Sequence, residues 1–283
     1  MIIIARLTIH EMIRRRIIWL LAALTIVTVA LVALGVERLV TLARGDGLGE
    51  LQIRVGVSQV LILIAFMFSF VLAMTAAFLG APAIGGDLES GVALAILARP
   101  LRRADLLIGR WLGLAAVVVG YTLASGALAI GVVSVISGFG PPYPLLALAF
   151  LSAQAVVLMT LTLALGSVLP AIGAGAVAVV AFGIGWMAGV MASVAGALDV
   201  QALASAAEAT RWLFPSDGLW RGVVYGLEPP AAALIALGRS PEGLSANPFF
   251  ANEPPPPVFV AWTVVWLALV LGLASWRLAR RDL

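Results

Sequence analysis

The sequence of 283 residues contains no cysteine and no lysine, and it has one histidine, His10. All 17 basic residues are arginine, set against 14 acidic ones. Without lysine the chain cannot build a Walker A phosphate cradle or a Schiff base to retinal. Without cysteine, and with a single histidine, it cannot assemble structural zinc, haem-thiolate or iron–sulfur sites. Charge is scarce as well: 11% of residues are charged and 63% hydrophobic, with a mean hydropathy of +1.12. A soluble domain has roughly 25% charged and 45–50% apolar residues. The alternating segments of a membrane barrel are also missing. What is present is a series of long apolar runs, read as spanning helices because only helices and closed barrels satisfy every backbone group in lipid. The expected fold class is therefore an all-α polytopic membrane protein.

Six runs qualify as spans: residues 17–36, 57–79, 111–137, 144–169, 171–198 and 258–276. Each is near or above the ~20 residues that cross a ~30 Å apolar layer at ~1.5 Å per residue. Residues 1–16 mix Arg6, Glu11, Arg14, Arg15 and Arg16 with isoleucine, leucine and methionine, as a basic amphipathic helix at the cytoplasmic headgroups does. No cleavage site separates it from the first run, so it is not read as a signal peptide. His10 belongs to this helix and is read as a headgroup contact.

Charge fixes the expected orientation. With both termini cytoplasmic, the inner pieces hold eleven arginines against five carboxylates, and the outer pieces six arginines against nine carboxylates. That is the positive-inside pattern. Residues 199–257 form the largest piece outside the spans, with helical candidates at 201–213 and 217–227, and Trp212, Trp220 and Tyr225 suited to the interfacial belt. They are expected to form an outer, extracytoplasmic cap of short interfacial or re-entrant helices. A seventh span over 222–238 is rejected because Glu228, Pro229 and Pro230 would sit at its middle, where a charge costs about 2.5–3.5 kcal/mol.

The six spans carry no ionisable residue away from their ends, so an ion-coupled carrier lacks its usual group at depth. An intramembrane enzyme lacks a catalytic constellation, and no catalytic or metal site is assigned. Span five is rich in small residues. Gly185 and Gly189, four apart, and Gly183 beside them mark a face for close helix packing or a dimer seam.

The polar island is 85–110, GGDLESGVALAILARPLRRADLLIGR. Asp87 is placed to cap a helix of about 88–98, with Glu89 in its first turn and Arg99 at its end. Pro100 then stops it. The strings D-x-E-x-G, R-P-x-x-R and G-R, carried by Asp87, Glu89, Gly91, Arg99, Pro100, Arg103, Gly109 and Arg110, resemble the signature of ABC-2 type transporter permeases. The resemblance is particularly to the six-span class that includes the nitrous-oxide-reductase maturation permease. The opening E-x-x-R-R-R, carried by Glu11, Arg14, Arg15 and Arg16, is similar to that family's amino terminus.

The resemblance implies a permease subunit of an ATP-driven exporter in the cell membrane, which takes no part in binding nucleic acid. Residues 81–110 would then be a cytoplasmic coupling segment holding a coupling helix. The implied partners are a separate ATP-binding cassette subunit, which carries the ATP and magnesium, a second permease copy or paralogue, and membrane lipids. The chain itself would bind no cofactor and would not be an enzyme. An alternative from another class is a non-transporting anchor or energy-transducing scaffold of a larger membrane complex. The substrate is not legible.

Overall fold

The computed structural model describes residues 1–14, 16–89, 103–198, 200–229, 234–235, 237–238, 240, 244 and 247–280. Its long elements are all α-helical: α1 (Ile2–Arg14), α2 (Arg16–Gly45), α3 (Glu50–Glu89), α4 (Arg103–Ser137), α5 (Pro144–Gly166), α6 (Ala171–Leu198), α7 (Gln201–Leu213), α8 (Ser216–Leu227) and α9 (Pro257–Arg280). Among the described residues, α2, α3, α4, α5, α6 and α9 are long and apolar enough to cross a membrane. They correspond one for one to the six runs read from the sequence. Several run past those limits, because a helix does not end where hydropathy does. Charged turns continue α2 to Gly45 and open α3 at Glu50 and α4 at Arg103.

Helix α5 is the axis of the bundle. It is apolar all round and is the most deeply buried of the spans, as expected of a helix enclosed by neighbours. It packs against α3, α4, α6, α8 and α9. Leu158, Met159 and Leu163 are fully enclosed. Its buried threonine hydroxyls bond to their own backbone four residues back, Thr160 to Val156 O and Thr162 to Leu158 O, while Ser152 Oγ is buried without a partner among the described residues. The two threonine hydroxyls are thereby satisfied without water. Helix α2 lies at the periphery, touching mainly α4 and joined to it at depth by a 2.6 Å hydrogen bond between Thr25 Oγ1 and Tyr121 Oη. Between α2 and the rest of the bundle is an apolar cavity of about 330 Å³ that includes Leu24, Phe68, Tyr121, Leu148 and Val223 in its walls.

One local expectation changes. Residues 85–89 were expected to break the chain and let Asp87 cap a new helix. Instead α3 continues unbroken to Glu89, through Pro82 and the Gly85–Gly86 pair, so Asp87 lies inside a helix. Two glycines cost a helix only about 1 kcal/mol each, so the i→i−4 ladder of a long helix carries through them. The expected 88–98 helix beyond this point, with Gly91, Arg99 and Pro100, lies outside the described residues, as does Arg15.

Candidate coupling node and re-entrant hairpin

Two polar constructions stand at opposite ends of the bundle. The first surrounds the start of α4. Gly109 and Gly113, one turn apart, form a notch in which α1 lies. A methyl group built on Gly109 would stand 2.7 Å from Ile4 Cβ, and one on Gly113 would stand 2.7 Å from both Ala5 O and Thr8 Cβ. Any side chain there would lift α1 off α4. Next to this notch Arg110 Nη1 donates to Glu11 Oε2 at 2.9 Å, with the arginine side chain 12% exposed and the glutamate 42%. Two turns earlier on α4, Arg103 Nη1 donates to the carbonyls of Leu278 at 3.0 Å and Ala279 at 3.3 Å. Those are last-turn carbonyls of α9, which have no partner within their own helix and carry the negative end of its dipole.

Arg103, Gly109, Arg110 and Glu11 are therefore brought together, and the island and the amino-terminal motif become one node although their residues lie 99 apart in sequence. Arg14 closes α1 in its last turn. The side chains of Arg16, Asp87 and Glu89 are not among those described. Nothing in sequence spacing could have paired Arg110 with Glu11, because the pairing exists only through the packing of α1 on α4.

The second construction is the segment between α6 and α9. Helix α7 turns back along α6, so that Phe214 at its end meets Gly185. Helix α8 then climbs back antiparallel to α5. Gln154 Nε2 donates to Ser216 O at 3.2 Å, Gly222 lies against Phe150, and Tyr143 N donates to Gly226 O at 3.0 Å. From Tyr143 to Gln154 the hairpin thus descends about 16 Å at ~1.5 Å per residue, roughly halfway along α5. The short helices expected at 201–213 and 217–227 span 201–213 and 216–227 and take the re-entrant rather than the interfacial of the two expected arrangements, alongside α5. The hairpin's means of entry is a face of Gly218, Gly222 and Gly226, which admits Phe259, Phe150 and Ala147. Small residues at four-residue spacing let backbones approach in this way. These glycines lie outside the small-residue face expected on α6 at Gly183, Gly185 and Gly189. Of the latter, Gly185 and Gly189 receive Phe214 and Asp217 from this same chain, while Gly183 faces open space.

Burying a helix end in an apolar bundle leaves carbonyls to satisfy. At the hairpin tip the indole nitrogens of Trp262 and Trp266 on α9 donate to Trp212 O and Leu213 O, each at 2.8 Å. Asp217, 6% exposed, accepts from Arg211 Nε at 3.0 Å and faces Arg221 Nε at 3.5 Å. Aromatic rings fasten the hairpin sideways: Phe66 of α3 contacts Phe70, Trp186, Trp220 and Phe249 at centroid distances of 5.2–5.7 Å. At the mouth, Glu228 is buried between Gln59 Nε2 at 3.2 Å and Ala251 N at 3.3 Å. Burial pushes its carboxyl up to about 8, against the two hydrogen bonds that favour the charged form.

These features define a multi-pass integral membrane protein: a bundle of six candidate spans with a hairpin packed in from one end and a polar node at the other. The ABC-2 family transporter protein model matches residues 2–283, and the chain belongs to that family. It is thus a membrane component of the ABC-transporter class. No curated protein matches it closely.

Proposed function

We propose that the chain is the permease subunit of an ATP-driven exporter and that residues 81–110 are its coupling segment, pushed by a separate ATP-binding cassette subunit. Membership of the ABC-2 family supports the pairing with such a subunit. With no lysine in the chain, the nucleotide site belongs to that partner, together with its magnesium. A second permease copy or paralogue completes the assembly in the cell membrane, with both termini and the segment on the cytoplasmic side, as the arginine distribution favours.

The observation that carries this reading is the node at the start of α4. A displacement of residues 81–110 reaches α1 through the Gly109–Gly113 notch and the Arg110–Glu11 pair, and reaches α9 through Arg103. Helix α9 is bonded at its other end to the hairpin tip through Trp262 and Trp266. One rod therefore links the proposed entry of force to the hairpin on the far side. Exposed ion pairs with the partner would contribute only about 0–1 kcal/mol each, so shape carries the coupling while Asp87, Glu89 and the arginines set register.

The test is to purify the chain with the ATPase encoded beside it and compare ATP turnover for wild type, Glu89→Arg and Arg103→Glu. The expected result is weakened association for Glu89→Arg and retained association with uncoupled turnover for Arg103→Glu. Unchanged association and turnover in both variants would overturn the coupling assignment.

A further inference from the structure

The hairpin carries a charge imbalance that its own contacts do not resolve. Arg211 on α7 and Arg221 on α8 converge on a single carboxylate oxygen, Asp217 Oδ2, at 3.0 and 3.5 Å. Asp217 cannot shift to serve them better, because it is held in the notch above Gly189 on α6. Gly189 is two and a half turns before the end of α6 at Leu198, about 13 Å along that helix at ~1.5 Å per residue. Among the described residues, two guanidinium groups against one carboxylate leave a surplus positive charge around a nearly buried aspartate, where uncompensated charge is costly. Glu208, one turn before Arg211, is exposed and forms no ion pair with it among the described residues.

The donors are equally unspent. Among the described residues Arg211 donates only its Nε, leaving both terminal nitrogens without a hydrogen bond. Arg221 Nε is buried without one, and its Nη2 reaches Ser193 Oγ only at 3.5 Å. Both side chains remain reachable, 24% and 32% exposed. A carboxylate offers two oxygens in one plane and is satisfied by one guanidinium fork. A phosphate offers tetrahedral oxygens that accept from two forks at once.

We propose that Arg211 and Arg221 form a binding site for a phosphate group, with Asp217 fixing the two guanidinium groups and the Ser193 hydroxyl beside them. The phosphate is carried either by a phospholipid headgroup drawn down beside α6 or by a soluble phosphate ester. The site rests on the hairpin geometry alone and does not depend on the coupling reading.

The test uses the full chain in a neutral detergent. Native mass spectrometry compares added phosphatidylglycerol with a glucosyl diacylglycerol of the same acyl chains, and calorimetry titrates glycerol 3-phosphate and inorganic phosphate. The expected result is a preference of about tenfold, equivalent to about 1.4 kcal/mol, for a phosphate-bearing probe. It should be lost in Arg211→Gln and Arg221→Gln and kept in Arg54→Gln, a distant arginine paired on its own helix with Glu50. Preference for phosphatidylglycerol alone assigns a lipid headgroup; binding of glycerol 3-phosphate or inorganic phosphate assigns a soluble source. No preference for any phosphate-bearing probe in the wild type overturns the site even if a variant fails to fold, and so does a preference that survives both glutamine substitutions.

Discussion

At the residue scale, Glu228 shows how burial rather than charge pairing governs an acidic side chain. Its carboxyl has two hydrogen-bond donors, Gln59 and the Ala251 amide, and no arginine partner among the described residues. With its folded value raised to about 8, the native state holds a proton that the unfolded chain has already released. Stability from this group is thus complete below the ordinary carboxylate range and falls as pH rises from there to about 8, on the order of a few kcal/mol at most. Thermal unfolding in detergent between pH 5 and 9 should show that decline in the wild type and a flatter profile in Glu228→Gln. An equal slope in both proteins would remove Glu228 as its cause. Gly113 is the counterpart in packing. Gly113→Val drives a side chain into Ala5 O and Thr8 and should cost about 1–3 kcal/mol, read as faster amide exchange over residues 2–14 with α5 unchanged.

At the scale of elements, the re-entrant hairpin is held by three kinds of contact, each with its own signature. Its tip carbonyls depend on two indole donors. Trp266→Phe keeps the ring, which packs near Phe214, but leaves Leu213 O without its bond, and should lower stability by about 1–3 kcal/mol. The double variant with Trp262→Phe should raise proteolysis between α7 and α8 before the bundle unfolds. The glycine face is a steric requirement: Gly222→Leu meets Phe150 and should keep α8 from seating, seen as a rise in solvent accessibility at Trp220. The aromatic cluster around Phe66 spreads its contacts over α3, α6, α8 and the 247–251 loop, so no single ring there should matter as much as the tip.

At the scale of the whole molecule, an even number of spans places both termini on one side and the hairpin helices on the other. The missing cysteine makes this easy to test, because a single introduced thiol reports alone. A membrane-impermeant maleimide applied to intact cells should label Ser205→Cys, on the exposed face of α7, and spare Arg6→Cys, on the exposed face of α1. The reverse pattern would invert the orientation inferred from the arginines, and would put the node and the hairpin on the wrong sides for the proposed direction of force.

The features legible along the chain are those set by local composition. Apolar length and the cost of charge in lipid establish six spans, and the two short helices appear at 201–213 and 216–227, within a residue of their sequence limits, because length, hydropathy and helix punctuation are properties of consecutive residues. The lack of the lysine that a Walker A cradle needs is likewise read without reference to any fold. What consecutive residues could not convey is which distant groups meet. The Glu11–Arg110 pair, the grip of Arg103 on the last turn of α9, and the descent of Asp217 to Gly189 all join segments far apart in sequence. Gly218, Gly222 and Gly226 announce a close approach but not that Phe259, Phe150 and Ala147 fill it. Reading charge only within the spans made the apolar layer look empty of ions. Packing brings Arg211, Asp217 and Arg221 alongside α6 from a segment that does not span, because a hairpin whose tip bonds to α5 and α9 can lie beside the spans in a way that hydropathy alone does not reveal.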